Sequence, residues 1–115
     1  MYATRHAKDN PMKFTLSKDD FDDIIEVAGY GIEWCSRMAS TDKGCHFTDD
    51  EGKKYFVTRK MLETAARDLH TRPTLNSEYQ KAIRLLVTEG NAGEVDGGVA
   101  SALVQQACFG EVIYG

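Results

Sequence analysis

A chain of 115 residues with an apolar fraction of 42% is long enough for one compact domain, which by size scaling buries roughly 65% of the surface its unfolded form exposes. Eighteen Asp and Glu against fourteen Lys and Arg leave a formal charge of -4, a balance that argues for a folded cytosolic protein and against a basic reader of duplex DNA. No run reaches the length of a membrane span, and Arg5, Lys8 and Lys13 are followed by no apolar core of a secretory leader, so a cytoplasmic location without membrane insertion is expected.

Residues 1–12 carry no periodicity and include Asn10-Pro11; they read as a flexible arm preceding a single α+β domain over 13–115. Ser17 with Asp20, followed by a first turn rich in Asp19, Asp20, Asp22 and Asp23, predicts a capped helix over about 18–28. Phe21, Ile24, Ile25 and Ala28 form its apolar stripe and Gly29 its stop. Beyond Gly29-Tyr30-Gly31, an extended segment would put Ile32, Trp34, Ser36 and Met38 on one face and Glu33, Cys35 and Arg37 on the other. Thr41-Asp42-Lys43-Gly44 and Asp49-Asp50-Glu51-Gly52 read as turns around the runs CHFT and KKYFVT, which predicts an antiparallel meander of about three strands with one face needing cover.

Three further helices are expected to supply that cover. Thr58 caps the first, whose Leu62, Ala65, Ala66 and Leu69 recur at helical spacing up to His70, before Arg72-Pro73. Ser77 with Gln80 matches a capping box for the second, lined by Tyr79, Ile83, Leu86 and Val87 and ended by Gly90. Asp96 caps the third, with Val99, Ala102, Leu103 and Ala107 on its apolar side and Ser101, Gln105 and Gln106 on its polar side. Gly110 ends it, and EVIYG reads as a short C-terminal strand. So uncharged a last helix is expected to be packed on more than one side.

The three cysteines, Cys35, Cys45 and Cys108, are odd in number and widely spaced, and read as reduced thiols in a reducing compartment. A zinc site would have to be built from Cys35, Cys45, His46 and His70, but no CxxC or HxxxH pair preorganises one, so no metal or other cofactor is expected. No phosphate loop, dinucleotide fingerprint, nucleophile elbow or HExxH helix occurs. Cys45-His46 adjacency does not by itself set a thiol against an imidazole, and no enzymatic activity is expected. The acidic run Asp49, Asp50, Glu51 lacks the spaced ligands of a calcium loop and suits a solvated turn.

Taken together, GYGIEW after the first helix, the DDEGK turn, MLETAARDL and the closing QQACFGEVIYG resemble small proteins encoded by bacteriophages and mobile elements, especially those of actinobacteria. The resemblance spans about residues 14–115. It brings no catalytic motif with it; it implies an origin, a phage or mobile-element protein acting in the cytoplasm of a bacterial host.

The leading expectation is a non-enzymatic protein that binds and modulates a host bacterial protein, such as a defence or regulatory factor. Its candidate contact residues are Tyr30, Trp34, Arg37, Tyr55, Phe109 and Tyr114, since aromatic side chains beside an arginine commonly anchor protein interfaces. A homodimer through the last helix and the EVIYG tail is also expected. Two alternatives stand beside it. One is a module sequestering a small nucleotide-like ligand. The other is a nucleic-acid-binding accessory protein using Arg59, Lys60, Arg67, Arg72, Lys81 and Arg84, a basic strip that Glu63, Asp68 and Glu78 interrupt. The acidic residues at the first helix and the second turn also raise the idea of a nucleic-acid mimic, for which a charge of -4 is modest.

Overall fold

Local capping chemistry sets the helix boundaries. In a computed structural model, which describes residues 14–30, 32–72 and 75–114, Ser17 Oγ accepts from the Asp20 amide and opens α1, Lys18–Ala28. Thr58 Oγ1 accepts from Met61 N at the start of α2, Arg59–Thr71. Asp96 Oδ1 accepts from Val99 N at the start of α4, Gly97–Phe109. In each case a side-chain oxygen satisfies an amide that has no partner within its own helix. The expected arm over residues 1–12 lies outside the described residues, as do Gly31, Pro73 and Gly115.

Two boundary details differ from expectation. The cap of α3, Ser77–Glu89, is Asn76, whose Oδ1 accepts from Tyr79 N; Ser77 is already the first helical residue. Asn is as good a cap as Ser, and the short Asn side chain sits at the required position three residues before that amide. Gly29 ends α1 in a right-handed conformation, whereas α3 and α4 close on left-handed Gly90 and Gly110, at φ 67° and 75°, where a Cβ would be strained.

Strands β1, Cys35–Ser40, β2, Cys45–Asp49, and β3, Lys54–Val57, form the expected antiparallel meander in the order β1-β2-β3. Cys45, Phe47 and Val57 are buried on its inner face. Arg37, Ala39, His46, Lys54 and Phe56 lie on the outer face and are exposed.

The simple alternation expected for the first strand is broken. Cys35 pairs with Asp49 and Arg37 with Thr48, leaving Ser36 as an extra residue, and its hydroxyl donates to the carbonyls of Thr48 and Asp49. Such a bulge shifts the side-chain parity. Cys35 and Met38 therefore share the inner side, Ser36 is exposed, and Trp34 is buried at the strand's start rather than within it.

Helix α4 is the centre of the molecule, packed against α1, α2, α3 and β3. Every residue from Val99 to Gln105 is buried, and Ala100 and Ala102 let neighbours approach closely. This corrects the expected polar side of the helix: Ser101 and Gln105 are interior. The segment before α1 is fastened to α2 by Glu63 Oε2, which accepts from Leu16 N at 2.6 Å, and by Arg67, which donates to Phe14 O at 3.1 Å. Phe14 and Leu16 are thereby held in the core. No helix among the described residues is long and apolar enough to cross a membrane.

Candidate interaction site

The chain beyond Gly110 does not form the expected strand among the described residues. A single side chain substitutes for a strand partner. Gln105 Oε1 accepts from the amides of Ile113 at 2.8 Å and Tyr114 at 2.7 Å, while its Nε2 donates to Tyr114 O and to Ser101 Oγ. Gln105 is 1% exposed, and its carboxamide, whose oxygen can accept two bonds and whose NH2 can donate two, is fully used there. One carboxamide suffices because it spans a donor–acceptor pattern like that of a neighbouring peptide unit.

The docked tail places Tyr114 on Trp34, with ring centroids 6.0 Å apart and planes 12° from parallel. Phe109, from the last turn of α4, packs at 5.0 Å from Trp34 and edge-on to Tyr55 at 5.2 Å. Four of the six candidate contact residues, Trp34, Tyr55, Phe109 and Tyr114, thus form one aromatic cluster, worth about 0.5–1.5 kcal/mol per ring pair beyond area burial. Tyr30 is 84% exposed and Arg37 projects from the outer sheet face, and neither has a ring or cation–π contact with that cluster among the described residues.

The cluster supports one wall of an open cleft of about 680 Å³ lined by Glu33, Trp34, Asp50, Tyr79, Gly98, Ser101, Ile113 and Tyr114. Asp50 N donates to Trp34 O at 3.2 Å, which ties the β2–β3 turn to the Trp segment and places Glu33 and Asp50 along the same cleft. Gly98 also lines the cleft, and a Cβ there would overlap the Tyr79 hydroxyl, so a larger residue needs the Tyr79 side chain to move. Trp34 is 4% exposed, and its indole N–H has no acceptor among the described residues. Ile113 and Tyr114, 55% and 51% exposed, are the rim's accessible large side chains.

Sequence reasoning missed Glu33, Asp50, Tyr79, Ser101, Gln105 and Ile113 as parts of one site. The available signal was Ser101 and Gln105, four residues apart in a helix without charged residues, a spacing that suits a shared interior hydrogen bond.

The residues of the basic strip are divided between α2 and α3. Arg67 is half-buried and spent on Phe14 O and Thr64. Arg72 is exposed and pairs loosely with Asp68 at 3.7 Å. Arg59 and Lys60 stand at the other end of α2, about 18 Å away along the helix axis. Lys81 and Arg84 are exposed on α3.

Cys45 and its sequence neighbour His46 do not face one another. Cys45 is buried on the inner face of β2 and His46, its neighbour, points to the outer face beside Phe56, because successive strand residues alternate sides. Among the described residues no group of three or more His, Cys, Asp and Glu could hold a metal ion. Burial raises the Cys45 thiol above its ordinary range and pushes Cys108 up to about 12, the direction that disfavours thiolate.

The chain matches no protein-family model, and no curated protein or solved structure is significantly similar to it.

Proposed function

We propose that the chain is a non-enzymatic, cytoplasmic interaction protein of bacteriophage or mobile-element type, which binds and modulates a bacterial host protein. The observation that carries this reading is the docked tail. A buried glutamine is spent on holding Ile113 and Tyr114 at the rim of a cleft, where both side chains stay half exposed above an aromatic cluster. Aromatic and aliphatic anchors set rigidly around a cleft are what protein interfaces use as energetic centres. The bacterial and phage setting is proposed on the sequence resemblance alone.

A second copy of the chain is the simplest competing occupant. Helix α4, expected to share in a dimer interface, has its central residues buried inside its own fold, so the tail is the part left for such a contact.

The test is capture of binding proteins from a bacterial lysate on the immobilised protein, followed by reconstitution with the purified partner. Ile113→Asp and Tyr114→Ala serve as the interface variants. Trp34→Ala is unsuitable, since truncating a buried tryptophan costs about 3–5 kcal/mol and compromises the fold. The reading predicts a partner that binds stoichiometrically and is lost with both rim variants while their melting curves stay cooperative. A partner retained equally by both variants, or no partner beyond a second copy, overturns it.

A further inference from the structure

We infer that the cleft receives an arginine side chain of the partner polypeptide, with the carboxylates of Glu33 and Asp50 as its ion partners and the half-exposed ring of Tyr114, backed by Trp34, as its stacking surface. This rests on the protein-binding reading above and adds the chemistry of the bound segment.

Charge gives the first reason. The cleft lining contains two carboxylates and no basic residue, and no ion pair among the described residues engages either carboxylate. The chain as a whole carries -4, so its field draws basic segments toward the surface and repels acidic ones.

Hydrogen-bond inventory gives the second. A guanidinium has five N–H donors and no acceptor. The cleft lining answers with the carboxylate residues Glu33 and Asp50 and with Tyr79. Arginine also prefers aromatic faces more than lysine does, because its planar, weakly hydrated group stacks, and Tyr114 presents a half-exposed ring. Trp34, which lines the cleft, keeps a buried indole N–H that has no acceptor among the described residues. A volume of about 680 Å³ accommodates one long side chain and its flanking backbone, within the ordinary range of binding clefts.

Trp34 is the chain's only tryptophan, so its emission reads this site directly. The experiment titrates the full chain with acetyl-Gly-Arg-Gly-amide and with its lysine and citrulline counterparts, citrulline being the uncharged analogue of arginine. The expected result is a saturable change with the arginine peptide, weakened by salt, with the citrulline peptide at least about tenfold weaker. Glu33→Gln combined with Asp50→Asn, both exposed positions, should weaken the arginine peptide by about tenfold without moving the melting curve. Equal titration by arginine and citrulline, no loss in the double variant, or no saturable change up to about 10 mM peptide overturns the inference.

The two levels separate experimentally. A partner lost with Tyr114→Ala but bound normally by the Glu33→Gln/Asp50→Asn variant leaves the protein-binding reading standing and removes the arginine. An arginine peptide that binds while no partner is recovered does the reverse.

Discussion

Gln105→Leu should release the C-terminal tail while leaving the helical core folded. Leucine fills a similar volume in the interior of α4 but offers no hydrogen bond. Three bonds to the tail, two accepted from Ile113 and Tyr114 and one donated to Tyr114 O, disappear together with the bond to Ser101. At about 1 kcal/mol net for each bond to the tail, the ceiling is about 3 kcal/mol. The tail can, however, leave its site and let water satisfy its amides, which spares the protein the larger penalty of orphaned interior groups. The expected global loss is therefore about 2 kcal/mol, which for a domain of this size lowers Tm by about 8 °C.

Two readouts localise the effect. Undocking Tyr114 uncovers Trp34, so Trp34 emission should shift to the red well below the unfolding transition. The amides of Ile113 and Tyr114 should lose hydrogen-exchange protection, while α4 retains its own. Deleting residues 111–115 should reproduce the emission shift, and adding Gln105→Leu to that deletion should cost much less than it does in the full chain, because the coupled partner is already absent. Unchanged emission with Tm within about 1 °C of the parent would refute the claim that this side chain holds the tail.

Other perturbations test the frame around the site. Gly44→Ala drives a Cβ into the backbone carbonyl of Val57 and the Phe56 ring; the backbone cannot yield cheaply, so a loss of about 1–3 kcal/mol is expected by urea denaturation. Glu63→Ala leaves the Leu16 amide without its partner and should cost about 1–3 kcal/mol, with Glu63→Gln recovering most of it because a carboxamide oxygen still accepts. Cys108 should react with iodoacetamide at pH 8.5 at least about tenfold more slowly in the native protein than in urea, since burial withholds its thiolate. A thiol raised from 9.0 to about 12 contributes stability that is full below pH 9 and declines as pH climbs toward 12. Cys108→Ala should flatten that alkaline decline, measured as Tm against pH, and an unchanged slope would remove the thiol as its cause.

The elements that were legible in the sequence are those built from short-range chemistry. Ser17, Thr58 and Asp96 each bond an amide three residues ahead, and the hairpin turns close within four residues, as where Thr41 N donates to Gly44 O. The misread cap at α3 differs by one residue for the same reason: Asn76 and Ser77 are both good caps, and which one is used depends on the approach of the preceding chain. The aromatic residues were legible as a set, but their division into the Trp34–Tyr55–Phe109–Tyr114 cluster and the separate Tyr30 was not.

The sequence by itself determined the α+β class, the meander order, the four helices and the inward packing of an uncharged α4, because capping, turn chemistry and hydrophobic periodicity act over a few residues. Only the tertiary structure decided where the extra residue Ser36 interrupts the strand, that Gln105 holds the tail in place of a strand, that Glu63 and Arg67 fasten residues 14–16 across 47 and 53 positions of chain, and that Glu33 and Asp50 line one aromatic cleft. Each of these depends on which distant groups packing brings within hydrogen-bond reach, and a polar side chain in the interior takes whichever partner the assembled fold leaves unsatisfied.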